Sequence, residues 1–355
     1  MRSFALWLAA LIVAEAATVV DFAGQRRELP ALSAADLADA DVVILGEGAP
    51  WRARSTERGL WLVDGSWLPV QSLEAEAQPD RLRVASPLGT LSLPLDLVLG
   101  WGEDLPAGDG DAVQLAGGLL SGRVLGIVEG QLRFGTALDP EAITVPLPAV
   151  RAARLAQPLR PASGLRVHAV LHPERPPLAL VPVGDGWALA AAPEIQVQTA
   201  PLGSLPLRVE GGRRVYLSEL EPEEVREEGA FGVVWPYQRD RGLHGEALRL
   251  GGQLFRRGLA VHSAARLGWR LGERYAALRA LIGISETVAP EGDCLVRIEG
   301  DGRVLWAGRL RGEAAPQALD LPLAGVQRLL LVVELGERYD IGDHVLLADA
   351  YLVRR

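Results

Sequence analysis

The 355-residue chain is short of several things, and each shortage removes a class of answer. It has one cysteine, Cys294, so no intrachain disulfide can staple its domains. Cys294 lies in the alternating run Asp293-Cys294-Leu295-Val296-Arg297-Ile298, the setting of a small buried hydrophobe. Five scattered histidines and that one thiol offer no zinc-ligand spacing. Positive charge is in deficit, 36 Lys plus Arg against 45 Asp plus Glu for a net −9, which argues against a nucleic-acid or anionic-membrane surface. Long apolar runs are missing after the first residues, so no transmembrane segment is expected in the mature chain. No G-x-S-x-G, H-E-x-x-H or phosphate-loop signature is found.

Residues 1–16 read as a secretory signal. Met1-Arg2 is the basic start, Phe4 to Val13 the apolar core, and Ala14-Glu15-Ala16 the cleavage site. About ten apolar residues fall short of the roughly twenty that span a bilayer. The mature chain is expected to start near Ala17 and to reside in the periplasm or outside the cell.

Forty glycines, 24 prolines and short apolar runs between turn residues favour many short strands, and the expected class is all-β. The middle of the chain repeats at about fifty residues. Leu82-Arg83-Val84-Ala85-Ser86-Pro87-Leu88 matches Leu132-Arg133-Phe134-Gly135-Thr136-Ala137-Leu138. The stretch from Leu91 to Val98 matches that from Ile143 to Val150, and Thr199 to Leu207 is a weaker third echo. The expected units are a partial one at 17–55 and small β repeats at 56–105, 111–157 and 164–215, with Gly- and Pro-rich linkers at 103–110 and 157–164. The order of strands and turns within a repeat fits a small bent β-barrel, loosely SH3-like or Sm-like. That analogy speaks to fold alone. Exposed strand edges on these repeats would suit docking to envelope proteins.

From residue 216 onward, period-two alternation recurs in Leu267 to Leu271, Leu295 to Ile298, Arg303 to Trp306 and Leu329 to Leu335. Gly300-Asp301-Gly302 is a hairpin signal. Eight or nine strands in some 140 residues predict a two-sheet jelly-roll sandwich. The acidic run from Glu221 to Glu228 is expected to be a solvated lead-in loop. A sugar needs an aromatic face for its C–H side and a few polar groups for its hydroxyls. Trp235-Pro236-Tyr237-Gln238-Arg239-Asp240-Arg241 has that composition, and makes Trp235, Tyr237 and Arg241 candidate ligand contacts, with core filling as the alternative for both rings. Trp306 is a further candidate, although its alternation with Val304 suits the core. Trp269, between Leu267 and Leu271, is expected in the core.

Gly251-Gly252-Gln253-Leu254-Phe255-Arg256-Arg257-Gly258-Leu259-Ala260-Val261-His262-Ser263, followed by Gly300-Asp301-Gly302, Gly342-Asp343-His344 and Ala348-Asp349-Ala350, resembles the NPCBM family of carbohydrate-binding modules over residues 216–355. The resemblance implies a β-sandwich of secreted proteins and recognition of a glycan or polysaccharide. His262 occupies the family's Gly-Leu-x-x-His signature, where a neutral imidazole can bond sugar hydroxyls or organise the Gly258 turn. Related sandwich modules often hold a structural calcium, for which Asp349 or Asp343 is the candidate ligand, with backbone carbonyls completing the shell; turn capping by Asp343 is the simpler account. The expectation is an exported, non-catalytic carbohydrate-binding protein. The competing expectations are a structural or protein-interaction scaffold of the envelope and, behind it, a glycoside hydrolase or its accessory.

Overall fold

The computed structural model describes residues 11–13, 16–54, 57–136, 142–229, 233–337 and 339–355. Most of the expected signal segment, and the end of the second repeat's first matching stretch, lie outside these residues. The chain forms two compact units, 1–212 and 213–355. No helix among the described residues is long and apolar enough to cross a membrane.

The N-terminal unit uses one strand plan three times. The first instance runs Gly59–Leu62, Trp67–Pro69 continuing as Ser72–Ala75, Arg81–Ser86, Gly89–Pro94, a 3₁₀ turn Leu95–Leu97, and Val98–Gly102. The second is Asp111–Leu115, Gly118–Val128, Gln131–Gly135, Ile143–Pro146, the 3₁₀ turn Leu147–Ala149, and Ala152–Arg154. The third is Arg166–Ala169, Leu178–Val183, Gly186–Leu189, Ala192–Val197, the 3₁₀ turn Ala200–Leu202, and Leu207–Glu210. In each, the last strand pairs antiparallel with the first. The matching apolar positions Leu82 and Val84, and Leu132 and Phe134, point into the core.

These instances are open sheets, not the expected barrels. Closing one would require its last strand to bond its fourth. That free edge is instead taken by the last strand of another instance, through Gly100↔Arg154 and Trp101↔Ala153. In the same way Leu207↔Val43 and Arg208↔Val42 join the third instance to the segment before residue 55, whose own strands are Ala17–Asp21, Arg26–Leu29 and Ala40–Ile44. That segment's short helix, Ala34–Asp39, starts at a Ser33–Asp36 capping box.

The C-terminal unit is an antiparallel sandwich. Its strands are β1 (Arg214–Tyr216), β2 (Glu224–Glu227), β3 (Gln238–Arg239), β4 (Leu248–Leu250), β5 (Gln253–Phe255), β6 (Gly258–Val261), β7 (Ala265–Arg270), β8 (Tyr275–Ile284), β9 (Asp293–Gly300), β10 (Arg303–Arg311), β11 (Gln317–Pro322), β12 (Arg328–Leu335) and β13 (Val345–Arg354). One sheet has the order β3-β6-β13-β8-β11, with β1 also on β13; the other is β2-β7-β12-β9-β10; β4 and β5 form a small hairpin. Period-two alternation sends Leu267, Trp269 and Leu271, Val296 and Ile298, and Leu329, Leu331 and Val333 inward against Leu259, Val261, Leu278, Ile282 and Leu347 of the facing sheet. Cys294 is fully buried here, and burial with the nearby Asp343 and Asp293 carboxylates pushes its thiol pKa well up. Asp301 and Gly302, with φ of 50° and 78°, make the tight β9–β10 turn.

The acidic run departs from the expected loop. Glu224–Glu227 is edge strand β2, paired with β7. The Glu224 carboxylate is shared by Arg226 of the same strand, Arg266 of β7 and Arg328 of β12, so it balances arginines across the sheet.

Candidate functional site

The site lies where the ladder of β3, β6, β13 and β8 runs out. The last β6–β13 pair is Val261↔Val345, so one further residue on each strand sets His262 beside His344. β3 pairs with β6 through Gln238↔Ala260 and Arg239↔Leu259, and following the antiparallel register backwards brings Trp235 to the same end. β8 reaches it at Ile284↔Val345, after which Ser285 N–H donates to His344 C=O at 2.8 Å. β6 approaches β13 this closely because Gly258 has no side chain: at its φ of +156°, a Cβ would lie 2.4 Å from the Leu347 carbonyl.

Four rings gather there. Trp235 stacks on His262 at 5.9 Å between centroids and 25°, meets His244 edge-on at 5.0 Å, and lies 6.0 Å from His344. His344 is 5.6 Å from His262 and 5.2 Å from His244. His262 and His344 are buried, Trp235 is half-buried and His244 is exposed. His244 sits in a turn closed by Gly242 N–H to Glu246 C=O at 2.7 Å. The Glu246 carboxylate is held by His244 N–H at 2.9 Å and by the Thr287 hydroxyl at 3.3 Å.

Burial lowers the His344 pKa to about 4, reinforced by His262 and His244 and partly offset by Glu246. The His262 pKa is also lowered by burial, against the Ser263 main chain and the more distant Asp340, which raise it. Both imidazoles are therefore neutral at pH 7, each with one donor and one acceptor nitrogen. The Nδ1 atoms of both rings are buried without a hydrogen-bond partner, as are Ser263 Oγ and Asp343 Oδ2. Unpaired buried polar atoms are costly, and so many at one strand end suit a ligand or water bringing hydroxyl groups. A half-exposed indole and neutral imidazoles can cover a ring's C–H face and exchange hydrogen bonds with its hydroxyls.

The expected contacts divide. Trp235 and His262 come together. Tyr237 lies two residues on, partly packed on the sandwich core, with the Arg239 guanidinium 5.9 Å from its ring. Arg241 is exposed and bonds Gln238 Oε1 at 2.8 Å. Trp306 is on β10, the edge of the opposite sheet; its ring packs partly on the core and lies across Gly308, where a Cβ would sit 2.6 Å from it. It shares no site with Trp235, because β10 pairs with β9 at the edge of the other sheet. His244 and Glu246 were not anticipated, and His344 was noticed only beside a supposed metal ligand.

The two aspartates expected as calcium ligands do not come together. Asp343 precedes β13 and is fully buried; its Oδ1 accepts from Asp293 N–H at 2.8 Å. Burial lifts its pKa to about 6, against the Asp293 bond and the nearby Ser263 hydroxyl, which lower it without forming a hydrogen bond of good geometry. Asp349 lies within β13, and about 13 Å of strand at roughly 3.3 Å per residue separates it from Val345 at the strand's start. Its carboxylate is 4.0 Å from Arg214. Among the described residues no group of three or more His, Cys, Asp or Glu is arranged to hold a metal.

Residues 213–353 match the family profile of the NPCBM/NEW2 domain. A stretch of 92 residues is 32% identical to a Renibacterium salmoninarum protein named as an endo-alpha-N-acetylgalactosaminidase; it covers 26% of this chain and 6% of that protein's length. Among solved structures, a CBM51 module of a Clostridium perfringens GH95 protein, in complex with methyl-galactose, is similar at 23% identity and a TM-score of 0.36, covering 39% of this chain and 99% of that one. Tandem CBM51 modules of a family 98 glycoside hydrolase from Streptococcus pneumoniae SP3-BS71 are similar at 11% identity and a TM-score of 0.35, over 95% of this chain and 88% of theirs.

Proposed function

We propose that the chain is an exported, non-catalytic carbohydrate-binding protein, with a neutral sugar seated on Trp235 and hydrogen-bonded by His262, His344 and His244. The observation that carries this is the pair of buried, neutral imidazoles with unpartnered Nδ1 atoms beside a half-exposed indole. Anionic partners would be repelled, since the Glu246 and Asp340 carboxylates lie near the rings. The NPCBM/NEW2 match over the same unit supports sugar recognition. The hydrolase relative adds no catalytic assignment, because so little of its length is covered. Export rests on the composition of residues 1–16. One sugar on so few contacts should bind weakly, on the order of micromolar to millimolar, and several copies on a surface would raise retention.

The test is a glycan-array screen of the full chain beside Trp235→Ala and His344→Gln variants that unfold at the wild-type denaturant midpoint. Binding to a defined neutral sugar, lost at least tenfold in both variants, is expected. No binding by the folded wild-type chain would overturn the proposal. The function would then pass to the N-terminal unit, whose second strand set exposes Leu119, Leu125, Val128 and Ile143, the kind of surface that docks proteins.

A further inference from the structure

The far end of the same sandwich presents an uncommitted cluster of positive charge. Most arginines of this unit are matched with a carboxylate: Arg257 with Asp240 at 2.8 Å, Arg279 with Asp320 at 3.2 Å, Arg297 with Glu334 at 3.1 Å, and Arg309 with Glu337 at 2.9 Å. Arg274, Arg354 and Arg355 have no carboxylate partner among the described residues, yet all three line one surface depression of about 420 Å³, with Tyr275 buried at its base.

The depression is framed by main-chain bonds. Tyr275 pairs with Arg354 where β8 begins and β13 ends. Arg355 N–H donates to Arg274 C=O at 3.0 Å, and Arg354 N–H to Arg213 C=O at 2.7 Å. The turn carrying Arg274 has Gly272 and Glu273 at φ of 61° and 59°, and is tied down by Gly272 N–H to Gln327 C=O and Glu273 N–H to Val326 C=O, both 3.2 Å. Arg274 Nε donates to Leu271 C=O at 3.1 Å, which fixes the guanidinium through its inner nitrogen and leaves its two terminal nitrogens for another partner. The one side-chain carboxylate lining the depression, that of Glu273, accepts from the Gln327 side-chain amide at 3.1 Å.

We infer that this depression binds an oxyanion, a sulfate or phosphate ester, through Arg274, Arg354 and Arg355. Guanidinium groups present paired N–H donors that match such oxygens, and like charges crowded into one depression are relieved by an anion. β8 is ten residues long from Tyr275 to Ile284. At about 3.3 Å per residue the anion site lies roughly 30 Å from the ring cluster, so it is separate from the proposed sugar site and does not rest on it.

The test uses the full chain and an Arg274→Gln/Arg354→Gln double variant, both side chains being exposed. Inorganic sulfate and phosphate are titrated at constant ionic strength against chloride and followed by calorimetry. Saturable binding by the wild type, weakened at least tenfold in the double variant and unchanged in Trp235→Ala, is expected. Equal affinity in wild type and double variant, or no binding to either anion, would overturn the inference. Chondroitin sulfate oligosaccharides and phosphatidylglycerol vesicles then separate the sources: preference for either names the ester, and rejection of both by a sulfate-binding chain would reduce the site to an adventitious ion only and also overturn it.

Discussion

Replacing Asp343 by Asn tests the account of the site's floor. Asp343 is fully buried, spends Oδ1 on the Asp293 N–H at 2.8 Å and leaves Oδ2 without a bond. Its pKa rises from 3.8 to about 6 in the folded chain, a difference of about 2.2. At about 1.36 kcal/mol per unit, holding this group ionised inside the fold costs about 3 kcal/mol once the pH exceeds both values. The sign follows from proton counting. Below pH 3.8 folded and unfolded chains are both protonated and the cost is absent; between 3.8 and 6 only the unfolded chain gives up its proton, and stability falls as pH rises. An Asn side chain keeps the acceptor for Asp293 and carries no charge. Urea unfolding followed by tryptophan fluorescence should therefore show Asp343→Asn more stable than wild type by about 1–3 kcal/mol at pH 7.5, and by about 1 kcal/mol or less at pH 4.5. A variant less stable at pH 7.5 would refute the reasoning. It would mean that the carboxylate is used as an anion, as a cation ligand would be, and adding a chelator to the wild type would then reproduce the loss.

His344 should titrate with the opposite sign. Its folded pKa of about 4 lies below the ordinary 6.5, so the unfolded chain takes up a proton first and stability falls by up to about 3 kcal/mol as pH drops from 6.5 to 4. His344→Gln should match wild type at pH 7.5 and exceed it at pH 4.5 in the same urea assay; equal midpoints at both pH values would contradict the buried, neutral assignment. Gly258→Ala forces a Cβ to within 2.4 Å of the Leu347 carbonyl at a φ that other residues avoid. A loss of roughly 2–4 kcal/mol in unfolding free energy is expected, together with loss of sugar binding, because His262 and His344 extend the two strands involved. A stable Gly258→Ala chain that still binds would show that the β6–β13 register does not hold the site.

Much of the sandwich was legible because its strands are half-buried and alternate. Trp269, Val296, Ile298 and Leu331 all face inward as period two requires. The N-terminal strand plan was legible for the same reason, but its open sheets were not. Closure depended on which strand edge Val98–Gly102 and Ala152–Arg154 would bond, and Trp101↔Ala153 is a long-range pairing that no local pattern announces. The run Glu224–Glu227 misled because its partners, Arg266 and Arg328, are distant in sequence. The candidate site was half-legible on different grounds. Trp235 and His262 stood out by residue type, and so did Trp306, which strand pairing placed on the other sheet. The arrangement of Trp235, His262 and His344 depends on where the ladder stops, one residue past Val261↔Val345. Periodicity ends where the strands end, so side chains just beyond them carry no alternation signal, and the turn that carries His244 and Glu246 carries even less. Residue chemistry nominated the candidate site, and the long-range register assembled it: sliding β13 by one residue against β6 would turn His344 to the other face, part the rings, and move Asp349 to a position that buried Ala348 or Ala350 now fills.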